Sequence, residues 1–98
     1  MLERLFVDLV QHQGVIEATL FESDGFVLYT SSTNGRPPSL STFEDCRKAM
    51  GINDTMTLVM EEGYVLLRNT PLGILSVKCE RAANLGSIRL TLDAISWT

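Results

Sequence analysis

GVIEATLFESDGFVLYTSS, residues 14–32, reads as a β-hairpin. Val15 to Phe21 is rich in β-branched and large apolar residues, and Phe26 to Tyr29 is a second run of the same kind. Ser23-Asp24-Gly25 lies between them. Glycine has no Cβ and takes positive φ without strain, and aspartate tolerates the left-handed region. Asp24-Gly25 between two apolar runs is therefore a strong local hairpin signal. In the first strand Ile16, Ala18 and Leu20 share an all-apolar face, expected to be the more deeply buried one. Val15, Glu17, Thr19 and Phe21 share a mixed face. None of these residues looks catalytic, which points to a chain that works through its surface.

On the N-terminal side, Leu2 to Gln13 reads as an amphipathic helix. Leu2, Leu5, Phe6, Leu9 and Val10 form one stripe, and Gly14 is placed to end the helix. On the C-terminal side, Ser31 to Ser41 reads as an exposed loop, marked by Asn34-Gly35 and Pro37-Pro38. Ser41-Thr42-Phe43-Glu44 then matches a capping box and opens a short helix, Thr42 to Met50. Phe43, Cys46 and Met50 form its narrow apolar stripe, and Gly51 stops it. Three strands follow: Asp54 to Met60, Tyr64 to Asn69 and Ile74 to Glu80. The turns between them are too short for parallel crossovers, so they form an antiparallel meander. A last helix starts at the N-cap Asn84, with Leu85, Ile88, Leu92 and Ile95 as its stripe. Arg89 and Asp93 stand one turn apart as an i,i+4 ion pair, and Trp97 is free to pack back on the fold. Helix, hairpin, helix, meander, helix is an α+β architecture.

The chain has 98 residues, enough for one domain. The net charge of −4 and the scattered basic residues exclude a nucleic-acid backbone as the natural partner, because counterion release needs clustered Lys and Arg. Glu3, Arg4 and Asp8 interrupt the N-terminal apolar pattern, so it is not a signal peptide. No run approaches the ~20 apolar residues of a membrane span. The expectation is a cytoplasmic protein without membrane insertion. Two cysteines, Cys46 and Cys79, and one histidine, His12, make no metal or redox motif; both thiols are expected to be reduced small hydrophobes. His12 reads as structural. Ser31, Ser32, Ser39 and Ser41 lack a nucleophile-elbow pattern, and no phosphate-binding glycine motif occurs. No enzyme activity, metal or cofactor is expected. Glu61-Glu62 reads as a solvated hairpin tip.

Element order together with a few local sequences resembles the roadblock/LC7 domain, a small fold related to longin and profilin-like domains. The carriers are the helix running into Gly14-Val15, the Asp24-Gly25 turn, and Ala83-Asn84-Leu85-Gly86-Ser87-Ile88-Arg89-Leu90, where Asn84, Gly86 and Arg89 look like that family's opening of its last helix. The resemblance spans essentially the whole chain. It implies a five-stranded antiparallel sheet with helices on both faces, the first and third on one and the second on the other. It also implies homodimers or heterodimers in which second helices pair and third strands meet edge to edge. Many such domains are non-enzymatic partners of small Ras-like GTPases; others belong to dynein light chains, a lysosomal scaffold or bacterial polarity systems. The second helix here is shorter than in many members.

The strand Asp54 to Met60 has no Pro or Lys to blunt an exposed edge. With the resemblance, this places a dimer or partner interface at Thr55, Thr57 and Val59 together with Phe43, Cys46, Arg47 and Met50. The alternative is that Phe43, Cys46 and Met50 cover the chain's own sheet. Two functions follow: a dimeric interaction module for a small GTPase or signalling complex, or a small-molecule-sensing domain using the space between sheet and helices. The hairpin 14–32 is expected to close the side of the sheet away from the third strand.

Overall fold

A computed structural model describes residues 2–31, 40–52 and 54–97, with the side chains at 2, 40–43 and 49 outside the description. Element order is α1 (Leu2–Gln11), β1 (Val15–Phe21), β2 (Val27–Thr30), α2 (Leu40–Met50), β3 (Thr55–Met60), β4 (Gly63–Thr70), β5 (Gly73–Glu80) and α3 (Leu85–Asp93). The strands form one antiparallel sheet in the order β2-β1-β5-β4-β3. The hairpin and the third strand therefore sit at opposite edges, as the sequence suggests. The long-range β1–β5 pairing, which no local signal encodes, joins the hairpin to the meander.

Alternation divides the core in two. Ala18, Leu20, Leu66, Leu75, Val77 and Cys79 meet Phe6 and Leu9 of α1 and Ile88 and Leu92 of α3 on one face. On the other face Leu67 is buried with Cys46 and Met50 of α2, and Met56, Leu58, Val65 and Ile74 pack around them. One face of the sheet thus carries α1 and α3 and the other carries α2. Aromatic side chains close the first face: the Phe6 ring lies 4.9 Å from Tyr29 and 5.6 Å, edge-on, from Trp97.

Several local expectations change. In the hairpin only Gly25 takes positive φ (94°), and no other residue type does so anywhere among the described residues. Glu22 N–H donates to the Phe26 carbonyl and Gly25 N–H to the Glu22 carbonyl, so the loop is the three-residue form with glycine at its end. Asp24 contributes its side chain, whose Oδ1 accepts from Phe26 N–H at 3.2 Å. Ile16 is 52% exposed, not buried. A register shift between Val15 and Glu17 inserts one extra residue, so Val15 joins Ala18 and Leu20 on the core face and Ile16 is turned out. Helix α1 ends at Gln11, earlier than Gln13. Gly14 (φ 95°) is the pivot of the turn into β1 and not the residue that caps the helix. Helix α2 starts at Leu40, which puts Ser41 inside its first turn and not at its cap. The loop signals Asn34-Gly35 and Pro37-Pro38, with Ser32 and Ser39, lie outside the described residues, as do the side chains of Ser41 and Phe43.

Candidate functional site

Among the described residues strand β3 is a free edge of the sheet and pairs with β4 alone. Thr57 stands opposite Leu66 and Val59 opposite Tyr64, both on the α1/α3 face, whereas Met56 and Leu58 pack on the α2 face. The strand thus shows a polar row, Thr55 and Thr57, on one side and an apolar row on the other. At its end Val59 is 79% and Met60 53% exposed, so apolar surface is left uncovered on both faces.

The sequence-predicted interface residues do not form one patch. Cys46 (6% exposed) and Met50 (2%) point into the chain's own core against Leu67. They cover this sheet, as the alternative has it, and lie on the face opposite Thr55, Thr57 and Val59. Arg47 is exposed on the flank of α2 that faces Asn69 and Ile74, while Asp45 is on the flank facing Lys78 and Met60. The Phe43 side chain lies outside the described ones.

The residues quoted from the turn and the last helix have structural roles. A Cβ on Gly14 would lie 2.7 Å from the Ala83 Cβ, so the close approach of two turns demands glycine. Asn84 caps α3, its Oδ1 accepting from Ser87 N–H at 3.1 Å. A Cβ on Gly86 would meet Asn84 Oδ1 at an ordinary 3.5 Å, so nothing in the folded chain demands glycine there. Arg89 is not paired with Asp93. Its Nη2 donates to Thr57 Oγ1 at 2.5 Å, and Asp93 is held by Arg68 Nη1 of β4, also at 2.5 Å. The reason is tertiary: α3 lies over the sheet, so both side chains of the helical pair find partners on strands 32 and 25 residues away. Asp93 in a last helical turn is disfavoured by the helix dipole, and a cation from the sheet offsets that. Arg68 is the partner of Asp93 that the sequence does not reveal, because nothing near it in the chain marks it.

His12 is structural in this geometry: Nδ1 lies 2.8 Å from the Gln13 carbonyl and Nε2 2.9 Å from Ser87 Oγ, which ties the end of α1 to α3. With Nδ1–H donating to the carbonyl, Nε2 accepts from the serine hydroxyl. Burial pushes the Cys46 thiol up from its ordinary value, helped by the Asp45 carboxylate and opposed by a hydrogen bond with Ser76; burial alone raises Cys79. Neither thiol is activated as a nucleophile. Among the described residues no group of three His, Cys, Asp or Glu side chains could hold a metal ion. No described helix is long and apolar enough to cross a membrane. Beside α2 a half-open cleft of about 430 Å³ is lined by Glu17, Cys46, Leu58, Met60, Ser76 and Lys78.

No family model matches the chain, and no curated protein matches it. Solved structures do. The roadblock/LC7 domain from Streptomyces avermitillis superposes with a TM-score of 0.77 at 22% identity, over 97% of this chain and 94% of that one. MglC from Myxococcus xanthus does so with a TM-score of 0.70 at 16% identity, over 97% and 93%. MglB in a tetrameric arrangement gives 0.70 at 16%, over 92% and 78%. At these identities the likeness speaks for the fold, and it agrees with the element order, the sheet topology and the distribution of helices described above. The chain has the fold of a roadblock/LC7 domain.

Proposed function

We propose that this chain is a non-enzymatic interaction module that pairs with a second copy through the free edge of β3. The observation that carries this is the edge itself. It is six residues long, has no Pro, Lys or bulge, and ends in exposed Val59 and Met60. Such an edge offers unpaired N–H and C=O groups to another strand and is one that monomeric proteins usually blunt. Strand pairing there would continue the sheet and bury Val59 and Met60, with the outward residues of α2, Arg47 among them, near the junction. The arrangement is the one that the resemblance implies, and MglB, of the same fold, is itself found as an assembly. The partner class that the resemblance implies is a small Ras-like GTPase or a larger signalling complex, and the cytoplasm is the matching location.

Sedimentation equilibrium tests the pairing. The native chain should show a dimer mass at high micromolar concentration, and Val59→Lys should shift it toward monomer with its circular dichroism unchanged. A clean monomer for the native chain overturns the reading. The GTPase is tested by capture from the native cell: a GTPase retained differently in its GDP and GTP-analogue states supports it, and equal retention does not.

The cleft beside α2 favours a second reading, a small-molecule sensor. Its volume falls within the ~300–1,000 Å³ of small-ligand sites, and it combines apolar with polar walls. A thermal-shift screen decides, since a ligand bound only by the folded state must raise the midpoint.

A further inference from the structure

A groove of about 620 Å³ runs between α1 and α3 on the outer side of the helices. Arg4 and Asp8 line it from α1, Leu90 and Ala94 line it from α3, and the half-buried Leu5 and Ile95 form its floor. Leu90 is 71% exposed. Arg4 and Asp8 are exposed as well. One helical turn separates them, yet neither side chain has a hydrogen bond or ion pair among the described residues. Their order is the unfavourable one: Arg4 stands in the first turn of α1 and Asp8 in the last, each at the end of the helix dipole that repels it. The other charged side chains described on the two helices are engaged or turned away. Arg89 is held by Thr57 and Asp93 by Arg68, and Glu3 lies on the flank of α1 away from α3.

We infer that this groove is a second self-association surface, at which two copies stack their α1/α3 layers about a two-fold axis crossing α1 between Arg4 and Asp8. The two helices run antiparallel, with His12 just past the end of α1 against Ser87 in the first turn of α3. Counted from that contact at ~1.5 Å per residue, the midpoint of Arg4 and Asp8 is level with Asp93. An axis at that level lays α1 antiparallel on α1 of the second copy and sets Arg4 of each against Asp8 of the other. It also carries Leu90 to the level of Ser96 of the second copy, where the small side chains of Ala94 and Ser96 leave room for it. Each charge then meets an opposite charge and the favourable end of a helix dipole. Charge complementarity names the occupant. A purely acidic or purely basic partner would satisfy one of the two charges and repel the other, whereas the isologous contact satisfies both. The surface lies on the helical layer and not on β3, so it stands apart from strand pairing. Two helices, the longer about 15 Å, give a small footprint. The contact is therefore weaker than strand pairing and stacks chains that are concentrated or already paired.

The test uses the whole chain carrying Val59→Lys, which removes strand pairing, and reads mass by small-angle scattering at millimolar concentration and low salt. The mass should rise above that of a monomer, and high salt should lower it again. Arg4→Asp and Asp8→Arg, each added alone, put like charges across the axis and should weaken the association by about tenfold or more. An equimolar mixture of these two variants should regain the mass, since one copy then offers two acids and the other two bases. A charge pair internal to one helix does not produce that rescue. Leu90→Ser leaves the charges alone and should also lower the mass, and circular dichroism checks that every variant is folded. A Val59→Lys chain that stays monomeric at millimolar concentration, a mass unchanged by either charge reversal, or a mixture that stays monomeric overturns the inference. The mass of the native chain at high micromolar concentration reports strand pairing separately.

Discussion

Gly14 and Ala83 touch backbone to side chain across the start of the sheet: a Cβ added to Gly14 would lie 2.7 Å from the Cβ of Ala83 and 3.1 Å from its Cα. The turn that leads α1 into β1 is thereby seated on the turn that leads β5 into α3, and Glu80 N–H donates to the Gly14 carbonyl at 2.8 Å to hold the two together.

Gly14→Ala therefore suffers twice, from its φ of 95° and from the overlap with Ala83. A loss of about 2–4 kcal/mol is expected, at the large end for a point substitution. Adding Ala83→Gly removes the overlap but not the backbone strain, so the double variant should recover part of the loss. Urea unfolding of the three proteins reads this. A single variant as stable as the native chain would refute the close seating.

The Arg68–Asp93 pair links α3 to β4, with the arginine side chain 19% and the aspartate 60% exposed. Solvent screens such a pair, so a double-mutant cycle with Arg68→Met and Asp93→Asn should give a coupling of only about 0.5–1 kcal/mol. The coupling should shrink in high salt. A second cycle with Arg89→Gln and Asp93→Asn should show little coupling, because Arg89 is engaged with Thr57.

Phe6 is fully buried between Tyr29 and Trp97. Phe6→Ala should cost roughly 3–5 kcal/mol, a large part of the stability of a domain this size. Trp97, only half-buried, should cost less on change to Ala. It is the sole tryptophan, so its fluorescence should shift in the same transition that unfolds the core.

The two thiols and Tyr29 are all raised by burial, Tyr29 further by the charge of Glu3. An unfolded thiol titrates near ~8.5 and a tyrosine near ~10. Below that range both states keep these protons and the contribution is complete. Above it the unfolded chain releases protons that the folded chain still holds, so stability falls as pH rises. Denaturant titrations should show a decline above about pH 8.5. At pH 8 both cysteines should react slowly with a thiol reagent until the chain is unfolded. A fast-reacting thiol in the native chain would contradict the burial.

Much of the fold was legible in the residues. Hydrophobic periodicity marks all eight elements, Asp24-Gly25 marks the hairpin and Asn84 the start of α3, because each of these depends on neighbours within one turn of chain. Ile16 shows where such reading stops: alternation counts residues evenly, and one inserted residue at a bulge reverses the face. The candidate surface was legible as an edge, since Thr55 to Met60 lacks any blunting residue. Which side chains share that surface was not. Cys46 and Met50 have the stripe of a helix that could face inward or outward, and only the sheet beneath α2 decides.

By itself the sequence determined the order and type of the elements, the place of the hairpin turn at Asp24-Gly25 and the acidic balance of the chain, all of which follow from local propensity and composition. Only the tertiary structure decided that β1 lies beside β5, that Gly14 must yield to Ala83, and that Arg89 turns to Thr57 while Asp93 turns to Arg68. The physical reason is the same in each case. These contacts join residues far apart in the chain, and their geometry is set by how helices settle on a sheet to bury a shared apolar face.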